Sequence, residues 1–105
     1  MDIRNNSGAI IYGDISKHEM LEIPALKSTN ETGKVYHVLA VGVHKSGTAM
    51  VTVKENGQAK AYILPDGNLQ VWVKNSIAMA WQGMDAYPAD VEFGKLPTGH
   101  YAEIL

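Results

Sequence analysis

The chain has no cysteine, and therefore no disulfide framework, cysteine-zinc site, iron–sulfur cluster or thiol nucleophile. Stability must come from packing alone. No span approaches the roughly 18 consecutive apolar residues of a membrane-crossing helix. The first thirty residues also lack the basic start and unbroken apolar stretch of a signal peptide. A cytoplasmic location with no membrane partner is the expectation. An excess of either charge sign is missing as well, because nine Lys and Arg meet eleven Asp and Glu for a formal net charge of -2. That balance excludes a strongly basic nucleic-acid-coating protein and an acidic disordered tail. What remains is 105 residues, 46% hydrophobic and 19% charged, enough for one core and too few for two. A single β-rich domain over 1–105 is expected.

Glycines and prolines fall about every ten residues, and between them lie short runs of Val, Ile, Ala and Tyr. This cadence is that of a mostly β chain. The first strand candidate is Ala9-Ile10-Ile11-Tyr12, ended by Gly13. Ser16 stands three residues before Glu19, the spacing of a capping box, and predicts a short helix through Met20 and Leu21 that Pro24 limits. Residues 27–33 are polar and close on glycine, as a loop does. Val35 to Val43 reads as a long strand with apolar side chains on both parities, so it is covered on both faces or curls into a barrel.

Asn56-Gly57 signals a hairpin whose loop holds either two residues or three. A two-residue loop sets Val53 against Lys60 and Val51 against Tyr62. A Glu55-Asn56-Gly57 loop instead pairs Val53 with Ala59, Val51 with Ala61 and Ala49 with Ile63; this makes one dry face, and alternation selects it. The same test at Pro65 and Gly67 pairs Ile63 with Leu69, Ala61 with Val71 and Ala59 with Val73. A three-stranded meander over 49–74 is predicted, followed by one helical turn from Ser76 to Trp81 with Ser76 as its cap. Short closing strands are expected near 90–94 and at Tyr101 to Ile104.

The outer parity of that meander collects Lys54, Lys60, Tyr62, Trp72 and Lys74. In this register Lys60 stands opposite Trp72 and sits over its ring, a contact worth about 0.5–1 kcal/mol when exposed. An aromatic and lysine face of this kind resembles platforms that stack bases and hold phosphates. The plainer reading is that other segments roof Trp72. Charge is uneven: residues 34–74 carry five lysines against Glu55 and Asp66, whereas from residue 76 onward Asp85, Asp90, Glu92 and Glu103 face only Lys95. The acidic tail either folds over the basic meander or points away as a partner-binding edge.

Other chemistry is thinly represented. His18, His37, His44 and His100 have no metal-ligand spacing, so no metal is expected. Asp90 and Glu92 read as the wet side of an edge strand rather than as a catalytic pair. Lys45-Ser46-Gly47 lacks the spacing and the following helix of a phosphate loop. No serine sits in a nucleophile elbow. No catalytic residue and no cofactor are expected.

Lys34-x-Tyr36-x-Val38-Leu39, His44, Met50-Val51, Trp72-Val73-Lys74 and Met79 together resemble the pattern of a family of small bacterial SH3-like barrel proteins of unknown function. The resemblance covers less than half of the chain. It implies a compact five-stranded barrel and no activity.

The expected fold is therefore mainly β: a small, strongly bent antiparallel sheet or an SH3-like, partly open barrel with one or two short helical turns. The expected function is non-enzymatic. A small recognition module of bacterial, phage or mobile-element type would bind another protein, or a second copy of itself, through Lys54, Lys60, Tyr62, Trp72 and Lys74. The alternatives are nucleic-acid binding by the same face, and a homo-oligomer with a small-ligand pocket.

Overall fold

The computed structural model describes residues 7–11, 18–44, 46–65, 67–84 and 86–105. They form β1 (Ser7–Ile11), β2 (Lys34–His44), β3 (Ala49–Glu55), β4 (Gln58–Ile63), α1 (Asn68–Trp81), β5 (Ala89–Leu96) and β6 (Gly99–Ile104). Five strands make an antiparallel sheet in the spatial order β4-β3-β2-β5-β6, and β1 lies parallel beside the C-terminal half of β2. The sheet does not close on itself. The mainly β, antiparallel expectation therefore stands as an open sheet, and the five-stranded barrel does not form. Of the first strand candidate, Tyr12 lies outside the described residues.

The two apolar parities of the central strand have a local cause. The register of β2 against β3 shifts between Val38 and Ala40, so that Leu39 is an extra residue. A bulge of this kind exchanges the faces to which the following side chains point. Tyr36 and Val38 are buried before it, and Val41 after it, with Val43 packed against the same core. One buried face is thus served by even positions and then by odd ones.

The β3–β4 hairpin takes the two-residue loop. Val53 pairs with Lys60 and Val51 with Tyr62, which corrects the expected pairing with Ala59 and Ala61. Asn56 and Gly57 have φ of 52° and 80°, the positive pair of a type I′ turn, whose twist matches the twist of the strands it joins. Alternation alone favoured alanine inside. The tighter turn instead buries the Tyr62 ring, whose hydroxyl donates to Glu55 Oε1 at 2.6 Å and so enters the core with its polar atom satisfied.

The third strand of the expected meander is a helix. α1 runs without interruption from Asn68 to Trp81, so Leu69 to Val73 and Ser76 to Trp81 belong to one element. Leu69 and Val73 fit both periods, being two strand steps of two or one helical step of four. Val71 separates the readings: a strand buries it with its neighbours, whereas in α1 it is 57% exposed. Ser76 is not a cap but a mid-helix residue, its Oγ 3.1 Å from Tyr87 Oη. Gly67, with φ of 98°, occupies the N-cap position without a side-chain bond.

Leu69, Val73, Trp72 and Ile77 pack onto the sheet face built by Tyr36, Val38, Val41, Val51, Val53, Val91 and Phe93. The stretch from Glu19 to Leu26 shares the covering of this face. Ile63 N–H donates to Glu19 O, Leu21 N–H to Ile63 O, Leu26 N–H to Lys95 O and Lys95 N–H to Pro24 O. These bonds stretch the segment from the β4 edge to the end of β5. The short helix expected through Met20 and Leu21 is therefore extended chain in its described part, and its cap Ser16 lies outside the described residues. Among the described residues, no helix is long and apolar enough to cross a membrane.

Candidate functional site

The residues expected to share one binding face are divided between elements. Lys60 and Tyr62 lie on β4 along the parity paired with Val53 and Val51. Lys60 Nζ sits 5.0 Å from the Tyr62 ring centroid and 3.3 Å from Glu19 Oε1. Its pKa is held above the usual lysine value first by the bond to Glu19 and then by Tyr62. Lys34 repeats the arrangement, 5.0 Å from the Tyr36 ring centroid and 3.3 Å from Glu22 Oε1. These lysines fasten the 19–22 stretch, each through an exposed ion pair of small energy.

Trp72 does not face Lys60. Its ring stands edge-on to Phe93 at 5.6 Å and to Tyr87 at 6.2 Å, half-buried between helix and sheet. Lys54 is exposed opposite His37, and Lys74 is exposed on α1. Neither forms an ion pair with another described residue. Nor does the acidic tail fold over β3–β4, because β5 and β6 extend the sheet on the other side of β2.

Two other surfaces emerge. The first is the outward side of α1, where helical spacing places Val71, Lys74, Ala78 and Trp81 in one row, flanked by Met79, with Met84 just beyond. Trp81 is 71% exposed. Reading Val71 to Val73 as strand scattered this row, and a helical wheel over 68–81 is the signal that recovers it.

The second is a recess of about 240 Å³ beside β6, lined by Thr29, Glu31, Glu92, Leu96, Tyr101 and Glu103. Gly33 N–H donates to Glu92 Oε2 at 3.1 Å, and Tyr101 Oη donates to the same oxygen at 2.5 Å. The Tyr101 hydroxyl, and after it the Gly33 amide, hold the Glu92 carboxyl below the usual carboxylate value. Glu31 accepts from the Lys27 amide. Among the described residues, no group of side chains converges to hold a metal ion. At the far side of the sheet, Ser46 N–H donates to His44 Nδ1 at 3.0 Å, with Ser46 Oγ at 2.8 Å from it and 3.1 Å from Thr48 Oγ1. All three bonds lie within the β2–β3 turn and hold its shape.

The Glu92 bonds make a prediction about acid stability. A carboxylate whose folded pKa is depressed stabilises the fold above its unfolded value, and that contribution fades as pH falls through the folded value. Removing the larger of the two bonds by Tyr101→Phe is expected to lower the melting temperature most above pH 4.5, with the gap to wild type narrowing below it. Melting curves across that range, with the Glu92 carboxyl followed by NMR, check it; a gap that widens on acidification contradicts the assignment. No family model, curated protein or solved structure matches the chain.

Proposed function

We propose that the protein is a non-enzymatic recognition module for another protein, with the outward side of α1 as its contact surface. The observation that carries this reading is the exposure of Trp81 at the end of a helix that also presents Val71 and Met79, with Met84 following. Exposed tryptophan and methionine in one patch match the composition of interface centres. The surface keeps Lys74 from the lysine and aromatic set and takes Trp81 in place of Trp72. A protein partner is favoured over nucleic acid because Glu19 and Glu22 occupy Lys60 and Lys34. Phosphate binding requires several free cations along one surface.

Trp81→Glu is expected to abolish partner binding while moving the melting temperature by no more than about 4 °C, the shift that corresponds to a surface substitution of about 0.5 kcal/mol. Affinity capture from native extract, followed by calorimetry with the purified partner, measures this. Recovery of the same protein by wild type and Trp81→Glu overturns the reading, as does recovery of nucleic acid alone.

A further inference from the structure

We propose that the outward edge of β6 is a second docking site, which takes an extended basic peptide as an added strand. The site is separate from α1 and does not rest on its role. The register of β5 with β6, closed at Leu96 and Gly99 and continued by the bond from Leu105 N–H to Asp90 O, turns the backbone groups of Gly99, Tyr101 and Glu103 toward β5. Those of His100, Ala102 and Ile104 point outward. His100 O is taken by Asn68 Nδ2 at 3.2 Å, whereas the outward groups of Ala102 and Ile104 have no partner among the described residues. The opposite edge is treated differently, since the 19–21 stretch already pairs with Ile63. Unpaired edge groups are a template for another strand.

Side chains select the occupant. Glu92 and Glu103 are cross-strand partners, so two carboxylates stand directly opposite each other on one face, an arrangement that destabilises a sheet. Glu92 is satisfied by Tyr101 and Gly33, but Glu103 makes no hydrogen bond or ion pair with a described residue and borders the recess that also contains Glu31. A residue on an added strand opposite Glu103 lies within about 4.5–5.5 Å of it at Cβ, within reach of a lysine or arginine head. The recess, at about 240 Å³, is smaller than the roughly 300–1,000 Å³ of small-molecule pockets and suits one long side chain. Alternate positions of the added strand would meet Ala102 and Ile104, which calls for β-branched residues. A second copy of this chain is disfavoured, because pairing β6 with itself brings two sets of these carboxylates together.

The test uses a seven-residue peptide, capped at both ends, that alternates lysine with valine, alongside a control with glutamate for lysine. NMR titration is expected to shift the amides of Ala102 and Ile104 with the lysine peptide and not with the glutamate one. Raising salt to about 1 M, where the Debye length is about 3 Å, weakens the binding. Glu103→Lys should cost at least about tenfold in affinity, or about 1.4 kcal/mol. Ala102→Pro removes an outward donor without touching the β5 ladder and should abolish binding. If Ala102→Pro fails to fold, the amide map and Glu103→Lys decide. Equal binding of both peptides, no binding of either, shifts confined to α1, or a dimer of the protein alone that Ala102→Pro dissolves would each overturn the proposal.

Discussion

Phe93→Ala is expected to lower the free energy of unfolding by about 3–5 kcal/mol, the range for deleting a fully buried aromatic side chain. Phe93 has no exposed surface and joins both layers of the protein. Its ring stands edge-on to Tyr36 at 5.9 Å on the sheet side and to Trp72 at 5.6 Å on the helix side, and Trp72 continues to Tyr87. Truncation removes two aromatic contacts and leaves a cavity under α1 that the sheet backbone cannot fill. Because domains of this size hold about 5–15 kcal/mol in all, the variant should sit near its unfolding threshold. Urea denaturation measures the loss. In a Trp81→Phe background, Trp72 emission should become accessible to acrylamide when Phe93 is also replaced. A loss below about 1 kcal/mol, or unchanged quenching, would refute the placement of α1 over β5.

The strands legible in the sequence are those whose evidence is local. The Asn56-Gly57 turn, the strands flanking it, the long apolar run from Val35 and the closing pair near the C-terminus all appear where turn chemistry and composition place them. Register failed at β4 because alternation rewards burying Ala59 and Ala61, whereas the type I′ turn and a satisfied tyrosine hydroxyl favour Tyr62. Leu69-x-Val71-x-Val73 misled because its pattern suits both periods. What separates helix from strand there is length: from Asn68 to Gln82 there is neither glycine nor proline, room for four helical turns and too much for one short strand.

The pairing of β2 with β5 and the covering of the β4 edge by 19–21 join distant segments and leave no local mark. For the same reason, Lys60, read as part of a shared face, could not be seen to meet Glu19, nor Lys34 to meet Glu22. The recess was hidden likewise: Glu31, Glu92 and Glu103 come from three segments and converge only after β5 and β6 pair. Asp90 and Glu92 do share one strand face, as expected, but β5 lies between β2 and β6 and is not the edge strand their pattern suggested; His37 Nδ1 lies 2.9 Å from Asp90 Oδ1 on that face.

Gly94→Ala is expected to cost about 2–3 kcal/mol, at the upper end of overpacking a tight site. A Cβ at this buried position would run into Tyr101 Cε2 and lie 2.8 Å from both Cζ and Oη, closer than atoms approach. Gly94 and Tyr101 are cross-strand partners, and the ring lies across the space that a side chain at 94 would take. The added methyl must therefore drive the ring aside, and with it the hydroxyl that donates to Glu92. The cost belongs to the pair rather than to the glycine. In a Tyr101→Ala background the same Gly94→Ala step should cost less than about 1 kcal/mol, a coupling within the range measured for contacting residues. Denaturant melts of the four proteins in this cycle measure it. Equal costs in both backgrounds would place the strain in the backbone of β5 and remove Tyr101 from the account; a smaller cost of the Gly94→Ala step in the Tyr101→Ala background fixes the ring as what a side chain at 94 would meet.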